Sequence, residues 1–156
     1  MPAKYSAHDV ARFVVEFACE QGSPITNLQL QKILFFLQWD YARRHGGQLL
    51  FDEDFEAWQY GPVVPSVYFD YSDFGGTPIT EPVLRSYAFG RGFLDTVPLD
   101  FSDATDIEPC LTGLLRKPAW QLVEESHRQG GPWSSAFARN GKRSVIGKEL
   151  IIAYRP

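Results

Sequence analysis

The chain has 156 residues and a formal net charge of −4, with 44% apolar and 22% charged residues, the balance of a soluble globular protein of about one domain. Its 13 glycines and 11 prolines fall short of a low-complexity composition, and its longest aliphatic-aromatic run, Ile33 to Leu37, is too short to cross a bilayer. Lys4, Asp9, Arg12 and Glu16 lie where a signal peptide needs an apolar core, so the expected location is the cytoplasm.

Ser6 followed by Asp9 predicts a capped first helix. Val10, Phe13, Val14 and Phe17 form one face of it, and Gly22-Ser23-Pro24 ends it. Thr26 and Gln29 predict a second capping box. Leu30, Ile33, Leu34, Leu37 and Tyr41 form the stripe behind it, while Phe35, Phe36 and Trp39 lie off that stripe. This helix is apolar on most of its circumference and should be central. Arg43, Arg44 and His45 suit its C-terminal dipole, and Gly46-Gly47 stops it.

Alternation of Phe55, Ala57 and Gln59 with Glu56, Trp58 and Tyr60 predicts a short strand bounded by Gly61-Pro62. Pro62 or Pro65 can start a third helix whose buried face is Val64, Val67, Tyr68 and Tyr71, closed by Gly75-Gly76. Thr77 to Phe101 has no clear period and reads mostly as loop. A helix is expected from about Asp103 to Arg116, weakened by Pro109 and Gly113. Pro118 starts a firmer helix with Trp120, Val123 and His127, ending at Gly130-Gly131-Pro132, and a short helical turn follows Trp133. Val145 and Ile146 should pair with the 55–60 strand, and Leu150 to Tyr154 is a final helix. The expectation is a mainly α protein with a minimal antiparallel β element, an α+β fold forming a single compact helical domain over residues 1–156.

The chemistry-bearing residues are sparse. Cys19 and Cys110 are the only cysteines, without a CxxC pair, and neither carries a local signature of a Cys–His hydrolase. His8, His45 and His127 have no metal-ligand spacing. No phosphate-cradling glycine loop is present, and Gly46-Gly47-Gln48 is better explained as a helix stop than as the hydrolytic tripeptide of release factors. Neither catalysis nor a cofactor is expected. A winged-helix DNA binder is an alternative, with Arg43, Arg44 and the Arg139–Arg143 stretch on phosphates, but the acidic balance opposes it. Charge is uneven: five acids and no Lys or Arg lie between Asp95 and Glu108, and six basic residues with one acid lie between Arg128 and Pro156.

Two long blocks carry a family resemblance. Ile25-Thr26-Asn27-Leu28-Gln29-Leu30-Gln31-Lys32-Ile33-Leu34-Phe35-Phe36 is one; the other runs from Glu56 through Trp58, Tyr60-Gly61-Pro62 and Val64 to Tyr68. Leu122, Ser126-His127 and Gly131-Pro132-Trp133 form a weaker third block. Together they resemble the Panacea domain of SocA-like antitoxins over about residues 5 to 154. The resemblance implies an antitoxin, bacterial or from a prophage, whose partner is a cognate toxin bound directly. Some relatives are described as adaptors that deliver the toxin to a protease, a second possible partner. No membrane partner is expected, and nucleic acid is disfavoured. Of the signature residues, Thr26, Asn27, Leu30, Gln31, Lys32, Trp58, Tyr60, Gly61, Pro62, Val64, Tyr68, His127, Pro132 and Trp133 read mainly as scaffold. Buried Asn27, Gln31 and His127 would each need a hydrogen-bond partner. Asp100, Asp103 and Asp106, in the acidic stretch outside the signature, are the candidate partner-binding residues.

Overall fold

The computed structural model describes residues 2–87 and 92–156; the part of the Thr77–Phe101 stretch at 88–91 lies outside the described residues. The first helix, α1 (Ala7–Glu20), begins at the expected capping box, with the Ser6 hydroxyl accepting from the Asp9 N–H and the Asp9 carboxylate accepting from the Ser6 N–H. Its buried face is centred on Ala7, Val10, Ala11, Val14, Val15 and Ala18. Phe13 and Phe17 only flank the core, because the small side chains let α1 approach its neighbours closely.

Helix α2 (Asn27–Arg44) carries the second capping box, Thr26 with Gln29, and is central as its composition requires. Leu30, Ile33, Leu34, Phe35 and Leu37 are all buried, with Phe35 edge-on to Phe55 at 5.5 Å. Gln38 is buried too, and its amide bridges the Phe51 carbonyl and the Leu50 N–H.

Strand β1 (Phe55–Trp58) is shorter than predicted, and Gly61-Pro62 does not bound it. A two-residue turn at Gln59-Tyr60 reverses the chain, and Gly61, Pro62 and Val63 form a strand of their own, β2 (Gly61–Val63), antiparallel to β1. Pro62 is tolerated because β2 is an edge strand, where a missing N–H breaks no ladder. Pro65, not Pro62, opens helix α3 (Pro65–Asp70). The other edge of the sheet is β5 (Ser144–Ile146), pairing Phe55 with Ile146 and Glu56 with Val145 as expected.

The aperiodic stretch contains a two-stranded ribbon, β3 (Arg85–Ser86) with β4 (Leu94–Asp95). Strands of two residues are too short to show a period. Helix α4 (Phe101–Leu115) starts two residues early because Asp100 caps it, accepting from the Asp103 N–H at 2.9 Å. Helix α5 (Ala119–Ser126) ends at His127 and buries Leu122 and Ser126, leaving Trp120 67% exposed. Helix α6 (Pro132–Asn140) is longer than the turn expected there, and α7 (Lys148–Ala153) closes the described chain. Seven α-helices and a small antiparallel sheet thus surround one hydrophobic core among the described residues, and α2 touches α1, α3, α4, α5, α7 and β2.

Candidate functional site

The first two signature blocks converge on one groove. At the start of α2, the Asn27 amide donates to the Tyr68 carbonyl at 3.0 Å, and Gln31 donates to the Asn27 side-chain oxygen at 2.9 Å. The Gln31 carbonyl oxygen accepts from the Val64 N–H at 3.0 Å. These bonds fix α2 to the entrance of α3. Beside them opens a groove of about 690 Å³, walled by Trp58, Tyr60 and Tyr68 with Thr26, Asn27 and Gln31 below. Lys142 and Arg143 contribute its basic rim. Arg143 lies 4.5 Å from the Trp58 ring centre, and Tyr60 is 62% exposed at the mouth.

One turn along α2 from the groove sits a buried lysine, with His127 close enough to feel its charge. Lys32 is fully buried and donates to the Pro62 carbonyl at 3.1 Å; burial pushes its ammonium down to about 7. Gly61, at φ +113°, lies against it. A Cβ there would meet both Lys32 Cε and Ser126 Oγ at 2.6 Å, so only glycine fits. His127 stacks on Trp133 with ring centres 3.8 Å apart, and its Nε2 is buried without a hydrogen-bond partner among the described residues. Burial first, then the Lys32 charge, lowers the His127 pKa. The Trp133 indole donates to the Trp58 carbonyl at 2.7 Å, joining the third block to the second. Pro132 opens α6 from a buried position; Leu30 and Val64 are core.

The three candidate acids lie away from this groove and are engaged within the chain. Asp100 pairs with Lys4, which holds its carboxyl down at about 2. Asp103 accepts from Lys4 at 3.0 Å and from the Tyr5 hydroxyl at 2.6 Å. Asp106 accepts from Arg44 and His45 at 2.8 and 3.0 Å, and the Arg44 hydrogen bond lowers its pKa. Each acid therefore fastens α4 to the N-terminal segment or to the end of α2.

Next to them is a surface that sequence reasoning missed. The β3–β4 ribbon has its polarity reversed: Ser86 and Thr96 are buried, while Leu84, Tyr87, Phe93, Leu94 and Val97 are exposed. Polar bonds hold it down. Ser86 donates to Asp70, which also pairs with His8; the Val97 N–H donates to Asp9, and Arg12 donates to the Thr96 carbonyl. Phe101, at the start of α4, is 86% exposed. The available signal was a stretch rich in large apolar residues without a burying period.

A family model described as "Antitoxin SocA-like, Panacea domain" matches residues 30–90. Antitoxin SocA of Caulobacter vibrioides (strain NA1000 / CB15N) is 35% identical over 152 residues, which cover 97% of this chain and 79% of that protein. The chain belongs to the SocA-like antitoxin family. No solved structure matches it. Membership supports an antitoxin role and implies a cognate toxin as partner. The stretch matched by the SocA-like model takes in the first signature block from Leu30 onward, the second block and β3, while Thr26, Asn27, Lys142 and Arg143 reach the groove from outside it.

Proposed function

We propose that this SocA-like protein acts in the cytoplasm as a non-enzymatic antitoxin that neutralises its toxin by direct binding through the face formed by the β3–β4 ribbon and the start of α4. The observation that carries the contact surface is the reversed polarity of the ribbon. An amphipathic ribbon ordinarily turns its apolar side inward, and a cluster of large apolar side chains left in water marks an interaction site. Asp100 and Asp103 flank Phe101 in sequence, so they stand at the rim, where charge tunes association rate and specificity. The Cys110 thiol offers no support for catalysis: burial pushes it up to about 12, the opposite of an activated nucleophile.

The test is co-expression with its cognate toxin, together with pull-down of the complex. Leu94→Asp and Phe101→Asp should abolish both rescue and complex formation while melting like the wild type, whereas Trp120→Asp, at an equally exposed site on α5, should behave normally. Full rescue by the variant carrying both Leu94→Asp and Phe101→Asp would reject this surface. Delivery of the bound toxin to a protease would use the same contact; it would appear as toxin turnover that depends on the antitoxin in a pulse-chase.

A further inference from the structure

We propose that the groove between the start of α2, the β1–β2 turn and Lys142–Arg143 binds an extended peptide segment that carries a carboxylate side chain beside an apolar one. The inference goes beyond the toxin contact, since no described residue of 84–101 lines the groove.

Three features of the groove specify this occupant. Its rim is basic: Lys142 and Arg143 have no ion pair among the described residues, no acid is among the described lining residues, and the Glu56 carboxylate is taken up by the Trp58 indole N–H at 2.9 Å. A carboxylate is the charge complement, and a guanidinium accommodates it with paired hydrogen bonds. The walls are aromatic, with Trp58 edge-on to Tyr68 at 5.1 Å, which suits an apolar side chain. Below lie two buried amides, Asn27 and Gln31, each with one of its two N–H hydrogens used. The second hydrogen of each is a donor for a main-chain carbonyl. The volume, about 690 Å³, is that of a pocket for a ligand of drug-like size, so it takes a few residues of chain, not a folded surface. Two cations are also too few to track a phosphodiester backbone.

The backbone supplies an independent observation. Arg143 has φ 62° and is the only non-glycine residue at positive φ among the described residues. Its N–H donates to the Ala57 carbonyl at 2.7 Å, which pins the conformation, and its guanidinium is thereby set over Trp58. Glycine would adopt this backbone without strain. Strain retained at a groove-lining residue is characteristic of binding sites.

The experiment presents an array of random heptapeptides to the fluorescently labelled full chain, followed by solution titration of the best peptide and of a single-stranded oligothymidine. The expected result is selection of Asp or Glu next to an aromatic or aliphatic residue, without oligothymidine binding. Arg143→Gly should weaken the selected peptide roughly 10–100-fold, the loss of one charge-assisted hydrogen bond, while its melting temperature equals or exceeds that of the wild type. Tyr60→Ala, at the exposed mouth, should also weaken binding, and Leu94→Asp with Phe101→Asp should not. No selection for acids, selection that survives Arg143→Gly, or preference for the oligothymidine would each overturn the proposal.

Discussion

Lys32 is an ionisable group in an apolar core, held by a hydrogen bond to the Pro62 carbonyl. With its ammonium pushed from 10.5 to about 7, the folded protein releases a proton that the unfolded chain still holds between those values. Stability due to Lys32 therefore rises with pH across that window, and below about 7 the burial penalty is present in full. Lys32→Met should remove this dependence. Its stability relative to the wild type should be greatest near pH 6.5 and should shrink by at least about 1 kcal/mol by pH 9.5, as read from urea unfolding at each pH. A parallel pair of curves would show that Lys32 stays charged throughout. Gly61 is the neighbour that cannot change. Gly61→Ala adds a Cβ into Lys32 and Ser126 at positive φ, for an expected loss of about 1–3 kcal/mol, or roughly 2–12 °C in melting temperature. A normal melt would mean that the α2–α5 contact can give way.

At the scale of elements, α4 is the informative case. Its acids were read from sequence as a surface for a partner, and all three bond within the chain. Reversing them to Lys would place like charges against Lys4 and Arg44, so lost rescue would mix folding with binding. Asn separates the two, because it caps a helix as well as Asp does. Asp100→Asn with Asp103→Asn and Asp106→Asn should melt within a few degrees of the wild type and, with acids at the rim of the toxin contact, associate more slowly at low salt. An unchanged rate in stopped-flow mixing would confine these acids to fastening α4. Legibility differed among the elements for physical reasons. Helix α2 was readable because a capping box and a wide apolar face coincide. The β1–β2 turn was not, since Gly61-Pro62 looks like an end of structure and is an edge strand. The ribbon escaped because two residues have no period. The groove was half visible: Asn27, Trp58 and Tyr68 stood in the signature, but Arg143 comes from a distant loop that no spacing rule connects to them.

For the whole molecule, net charge and enclosure of α2 bear on the DNA-binding alternative. A helix that touches five other helices and a strand has no face left to enter a major groove, and a chain of charge −4 repels phosphates overall. The purified protein should show no sequence-specific shift of its own promoter at physiological salt. A tight shift with a steep salt dependence would favour a regulator that uses the basic 128–156 stretch. No helix among the described residues is long and apolar enough to cross a membrane.

The pairing of Phe55 with Ile146 has a consequence in time. During synthesis β1 emerges roughly ninety residues before the strand that completes its sheet, an interval of about 5–18 s at ordinary elongation rates. For most of it α2 lacks α5, and to its end it lacks α7, two of the helices that cover it, so part of its apolar circumference stays open to solvent. A chain arrested before Ser144 should be cut within α2 by a protease that spares the finished protein. Each new copy thus passes through a vulnerable window whose length is set by the ribosome, and slowing translation would lower the yield of intact antitoxin before any mature copy is lost.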